Sequence, residues 1–230
     1  MHSTYYSDRA LELEVHKFLI KHKVYEQLFK HKPVTVNNPE MQRLGADVIV
    51  GDCIVDEKAA VAWAGANSRR RNFAAEYYNF ASKNPGWIVR PEILTTHYLQ
   101  IFIYLKDFYT NKDARTCINF KHDNIMALDL LLIDKKKFKE YTKSRLSDNE
   151  IMSELYDMYN HKVKYRLVSG IELRISYVLH EMPAMITVSA NTLESLGIAK
   201  KYYIYYAKGS VFDDFYLGDV EHGPSDGLSS

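Results

Sequence analysis

Asp47, Asp56 and Lys58 are the residues whose types and spacing could do chemistry. Two carboxylates held together can bind a hard divalent cation, and a lysine beside them can orient a water and offset the charge of a phosphate. Such a set could cut a phosphodiester bond, because a bound cation stabilises charge on the phosphoryl oxygens and lowers the pKa of an attacking water. The three residues lie in Gly45-Ala46-Asp47-Val48-Ile49-Val50-Gly51-Asp52-Cys53-Ile54-Val55-Asp56-Glu57-Lys58-Ala59. Val48 to Val50 and Cys53 to Val55 are apolar and largely β-branched, and Gly51-Asp52 between them is a Gly-first turn suited to a tight hairpin. That turn pairs Val50 with Cys53, and counting outward sets Asp47 across from Asp56. Side chains alternate along a strand, so Lys58 shares the face of Asp56 while Glu57 points the other way. Opposed like charges repel at a Cβ separation of about 5 Å, and a cation removes that repulsion. The competing reading is a surface hairpin with a chance D-x-K. Turn type, spacing, shared face and apolar context together count against it.

Asp47 followed by Asp56-Glu57-Lys58 resembles the acid–(D/E)-x-K core of the PD-(D/E)XK nuclease superfamily, which includes restriction endonucleases, resolvases and phage or repair nucleases. Gln42-Arg43-Leu44-Gly45-Ala46-Asp47 and Val55-Asp56-Glu57-Lys58-Ala59-Ala60 are similar to a bacterial and phage subgroup that writes this core as Q-x-x-G-x-D and I-D-E-K-A. The likeness spans about residues 40 to 60, more loosely to about 105. The naming proline is absent, since Gly45-Ala46 precedes Asp47. The resemblance implies a restriction-endonuclease-like α/β (α+β) fold, a mixed central β-sheet flanked by helices. It implies magnesium, with manganese as a substitute, held by Asp47, Asp56 and the backbone carbonyl of Glu57, with Lys58 acting on the water. An accessory glutamate on a preceding helix is also implied; the Glu-x-x-Val-x-x-Phe-Leu pattern points to Glu12, with Glu14 as the alternative. The subgroup also places an acid near Glu76, for which Arg71 or Lys58 would be a partner.

The elements that must position these residues follow from periodicity and turn chemistry. Leu11, Val15, Phe18 and Leu19 at i, i+4, i+7, i+8 predict a helix over 7–29 with Ser7 as N-cap. Pro33, Asn37, Asn38 and Pro39 predict a loop over 30–41, and Gln42 after it could contact substrate. The hairpin strand is expected to continue through Trp63. Arg69-Arg70-Arg71 then forms the densest basic cluster, suited to bidentate contact with backbone phosphates; a solvated turn is the plain alternative. Asn84-Pro85-Gly86 reads as a turn, and Trp87 to Val89 and Leu99 to Leu105 as further strands of the same sheet. Residues 124–159 read as helical, with Asp134-Lys135-Lys136-Lys137 at a helix start. Strands over 163–178, a short helix over 191–196 and a terminal strand over 202–206 complete the pattern.

At 230 residues with 47% hydrophobic content, the chain suits one packed domain. It is expected to span 1–217, with a core of about 7–110, an elaboration of about 115–217 and a flexible tail over 218–230. The net charge of +1 hides an asymmetry: residues 16–36 carry five lysines against one glutamate, and five acids but no Lys or Arg follow Lys208. A basic amino-terminal half suits a polyanion. Cys53 and Cys117 are too few for a disulfide scaffold, no signal pattern opens the chain and no apolar run could span a bilayer, so a soluble, cytoplasmic protein is expected. The nine histidines show no metal-ligand spacing and read as surface residues. The expected activity is magnesium-dependent endonucleolytic cleavage of DNA. The expected partners are DNA and, optionally, a second copy in a homodimer. A catalytically idle nuclease fold, such as a phage inhibitor of host defence, is the alternative; it should show a degraded motif, and here all three central positions are intact.

Overall fold

The computed structural model describes residues 5–60, 72–105, 121–206 and 215–219. The amino-terminal helical pattern forms two helices, α1 (Tyr5–Lys21) and α2 (Val24–Phe29). Lys23, at φ 52, breaks the helix expected over 7–29 and turns the chain so that Val24 and Tyr25 enter the core. Because α1 starts at Tyr5, Ser7 lies within it and does not cap it. The segment expected as a loop carries β1 (Pro33–Thr35) and α3 (Pro39–Arg43). Asn38 caps α3 by accepting from the N–H groups of Glu40 and Met41, and Pro39 sits where a missing N–H does no harm.

The hairpin forms as β2 (Val48–Val50) and β3 (Cys53–Ala59), with Val50 opposite Cys53 and Val48 opposite Val55. Gly51 takes φ 56 in the turn, the left-handed region that glycine enters without penalty. β3 ends at Ala59; its expected continuation to Trp63 falls mostly outside the described residues, as do Arg69, Arg70, Arg71 and Cys117. β3 then pairs in parallel with β6 (His97–Leu105).

Residues 125–134, expected as helix, form β7 (Ile125–Asp134). The strand lies between β6 and β11 (Ala199–Tyr206), buried on both faces. A strand covered on both sides shows a continuous apolar run, so its period of two is lost. The main sheet has the order β1-β2-β3-β6-β7-β11-β12, where β12 is Phe215–Asp219. The segment expected as an elaboration therefore supplies a central strand. Asp134 caps α4 (Lys135–Arg145), and Ser147 with Glu150 forms a capping box on α5 (Asp148–Asn160).

A second, antiparallel sheet takes the order β5-β4-β10-β9-β8. Its strands are β4 (Asn72–Asn79), β5 (Asn84–Pro85), β8 (Tyr165–Val168), β9 (Ile171–Ile175) and β10 (Pro183–Ser189). Trp87 to Val89, expected as a strand of the main sheet, is a turn. The short α6 (Ala190–Ser195) precedes β11. The architecture is thus mixed α/β, with sheets flanked by helices.

Two cores hold the layers together. On one face of the main sheet, Leu99, Ile101 and Leu130 pack with Val15, Phe18, Leu19 and Tyr25 of α1 and α2. On the other, Tyr98, Leu131 and Ile133 pack with Phe138 of α4, Leu155 of α5 and Phe73 and Ile186 of the second sheet. Asp56 and Lys58 lie on this second face. No helix among the described residues is long and apolar enough to cross a membrane.

Candidate active site

Asp47 sits one residue before β2, beyond the last regular pair Val48–Val55, and its N–H donates to Val55 O at 3.0 Å, so the hairpin ladder holds it beside the strand that carries Asp56. The two carboxyl groups lie close enough to perturb each other's ionisation. Asp47 Oδ2 also accepts the Glu57 N–H at 2.8 Å. Asp56 is 5% exposed. Burial pushes its carboxyl up, Lys58 draws it down and Asp47 pushes it up again, to about 6. Asp47 is raised as well, by burial and then by the charge of Glu57. Two carboxyls brought together in a buried site raise at least one of their pKa values, because like charges disfavour ionising both.

Lys58 Nζ pairs with Asp56 Oδ1 at 2.8 Å and lies 5.0 Å from the ring centroid of Trp87. Burial by itself would depress this ammonium, but Asp56, Asp47 and the more distant Glu12 hold it above the ordinary lysine value. It stays charged. Glu12, exposed on α1, thus reaches the site as a charge. Glu14 does not: its carboxylate accepts from Lys17 at 2.7 Å and from the His122 N–H at 3.0 Å, which holds it well below its ordinary range, at about 2. Of the two glutamates, Glu14 is thus engaged by Lys17 and His122, while Glu12 acts on Lys58 through its charge.

Glu57 faces the other way, as alternation requires. Its carboxylate accepts from the Tyr25 hydroxyl and lies 2.9 Å from His16 Nδ1, while His16 Nε2 approaches Thr35 Oγ1 at 3.2 Å. Burial lowers the His16 imidazole, but Glu57 and Asp47 leave it raised overall. His16, expected at the surface, is therefore part of a half-buried clamp behind the hairpin. Periodicity could not reveal it, because its partners come from β1, α2 and β3.

Gly45 explains the glycine of the Q-x-x-G-x-D pattern. Its φ is 77, and a Cβ there would stand 2.3 Å from Thr95 Oγ1 and 3.3 Å from Asp56 Oδ2. Thr95 in turn donates to Gly45 O at 2.6 Å. The expected substrate contact, Gln42, is engaged within the fold: Nε2 donates to Val36 O at 2.8 Å, and Oε1 accepts from Arg9 at 3.2 Å. Glu76 on β4 is raised by burial and by Glu181, with Lys58 and Arg90 opposing. Its charge is felt by Lys58 without a direct ion pair between them.

Three neighbours escaped the sequence reading. Tyr98, opposite Asp56 across β3 and β6, is fully buried with its hydroxyl unpartnered, and burial and Asp56 together push that hydroxyl far up. Trp87 supplies the ring under Lys58. Lys135, whose Nζ donates to Ile93 O at 2.9 Å, lies within range of the Asp56 charge. Only the basic run 135–137 left a trace in the sequence.

Among the described residues no three His, Cys, Asp or Glu side chains converge as a metal-binding group. Two carboxylates and a main-chain carbonyl are nonetheless hard oxygen donors of the kind that suffices for magnesium, which keeps several waters. The raised carboxyls fit such an ion, since a cation would offset the burial and like-charge repulsion that raise them. No family model, curated protein or solved structure matches the chain.

Proposed function

We propose that the chain is a magnesium-dependent endonuclease of the PD-(D/E)XK kind that hydrolyses DNA phosphodiester bonds in the cytoplasm. The observation that carries the reading is the cluster itself: Lys58 Nζ lies 2.8 Å from the buried Asp56 carboxyl, and Asp47, held by the Glu57 N–H at 2.8 Å, is near enough to raise the Asp56 carboxyl further. Asp47, Asp56 and the Glu57 carbonyl would hold magnesium or manganese, which supplies Lewis-acid stabilisation of the phosphoryl oxygens and a more acidic water. Lys58, anchored by Asp56 and braced on Trp87, orients the attacking water and offsets negative charge at the phosphate. The Glu57 N–H keeps Asp47 Oδ2 in place. Glu12 supports the positive charge of Lys58 from α1. Arg69, Arg70 and Arg71 are proposed to contact backbone phosphates.

Incubation of the purified chain with linear, supercoiled and branched DNA tests this, in magnesium and in chelator. Cleavage is expected only with the metal, and Asp56→Asn and Lys58→Met are each expected to lower the rate by a factor of 100 or more, on the order of 3 kcal/mol of barrier. Cleavage by Asp56→Asn at the wild-type rate would overturn the mechanism.

A further inference from the structure

We infer that α4 is a phosphate track beside the hairpin, on which Lys135, Lys136, Lys139 and Lys143 receive the backbone of duplex DNA leaving the site. The inference rests on the nuclease reading and deepens it by naming a surface that grips the substrate.

The helix reads KKKFKEYTKSR. Its first turn holds lysines and no acid, although the N-terminal end of a helix carries partial positive charge and disfavours cations by some tenths of a kcal/mol each. A local rule broken in this way calls for a compensating partner. Asp134, the cap, accepts only from the Lys137 N–H, at 3.1 Å. Glu140 stands four residues after Lys136, yet the two make no ion pair. Lys143 does pair, with Asp148 at 3.3 Å, but both groups are more than half exposed, where such a pair is worth little.

Spacing aligns the charges. Lys135, Lys139 and Lys143 recur at i, i+4 and i+8, one face of the helix, with Lys136 three residues before Lys139. Crowding of like charge is felt within the stripe, since burial and then Lys139 lower the Lys135 ammonium.

The stripe begins at the site. Asp56, Tyr98 and Ile133 form one row across β3, β6 and β7, and α4 starts two residues beyond Ile133. The Lys135 N–H donates to Thr96 O at 3.0 Å and its ammonium to Ile93 O. Thr95, between these two acceptors, holds Gly45 against Asp56. The loop that seats α4 is therefore the loop that shapes the dyad. A backbone whose scissile phosphate meets Asp47 and Asp56 passes next to Lys135.

The test is a salt titration of duplex DNA binding in an Asp56→Asn background, with Lys136→Ala/Lys139→Ala/Lys143→Ala compared to its parent and to Lys30→Ala/Lys32→Ala. The triple variant is expected to bind about tenfold or more weakly, with a log–log salt slope flatter by about 2 to 3. Arginine at the three positions should restore binding, and the Lys30/Lys32 variant should overlay the parent. Superimposed titrations for triple variant and parent overturn the inference, as does equal weakening by the Lys30/Lys32 pair or absence of binding by the parent. Failure of the nuclease reading looks different: lysine-dependent binding would persist while wild-type protein left DNA uncut in magnesium.

Discussion

Asp56 carries the clearest energetic signature of the site. Its folded value of about 6 stands above the ordinary 3.8, so the folded chain prefers the protonated form. The stabilising contribution is complete below about pH 4 and is lost as pH rises through 6. Asparagine has nearly the volume of the protonated acid and cannot ionise. In metal-free buffer, Asp56→Asn is therefore expected to be more stable than wild type at pH 8, by up to about 3 kcal/mol for a two-unit shift, with the difference vanishing near pH 4. Urea denaturation at both pH values checks this. A variant less stable than wild type at pH 8 would mean that the Lys58 pair outweighs the burial of the carboxylate.

At the scale of elements, the hairpin is held from both sides. In front, Asp47 accepts the Glu57 N–H; behind, Tyr25 of α2 and His16 of α1 fix the Glu57 carboxylate. Tyr25 is fully buried, and its hydroxyl is held strongly protonated by burial and by Glu57, so it serves as a permanent donor. Tyr25→Phe leaves a half-buried carboxylate with His16 alone, and the expected loss is about 1 to 3 kcal/mol of stability. The raised His16 should then matter more: its contribution is present below its ordinary pKa and is lost as pH rises through the folded value. Thermal melts of Tyr25→Phe from pH 6 to 9 should show a gap to wild type that widens with pH. A constant gap would show that His16 does not share the load.

At the scale of the whole molecule, β7 decides what counts as a domain. It lies between β6 and β11 and is contributed by residues beyond 120. Leu99 and Ile101 of β6 are fully buried in the same core as Leu128 and Leu130 of β7. A fragment ending at residue 110 would expose that apolar edge, an open template for aggregation. It is expected to give neither a cooperative melt nor dispersed amide resonances. A folded 1–110 fragment would restore the division into a core and a later elaboration.

The hairpin was legible in the sequence because everything that defines it is local: Gly51 in the turn, β-branched runs on each side and a period of two along β3 that assigns Asp56 and Lys58 to one face and Glu57 to the other. The start of α4 was similarly near to hand in Asp134-Lys135-Lys136-Lys137, and α6 lies within one residue of the helix expected over 191–196, whereas the break before α5 was not expected. What depends on distant partners was not. The run from Ile125 to Ile133 is apolar on both faces, and only burial between two strands makes it a strand. His16 and Tyr25 became partners of Glu57 because α1 and α2 fold back over the main sheet. Tyr98 met Asp56 because β6 pairs with β3, and Trp87 and Lys135 approach the dyad from the segment after β5 and from α4. Sequence alone determined which side chains share a strand face, since backbone alternation is intrinsic. Tertiary structure decided which groups from other elements meet them, because that depends on how layers far apart in the chain bury one another.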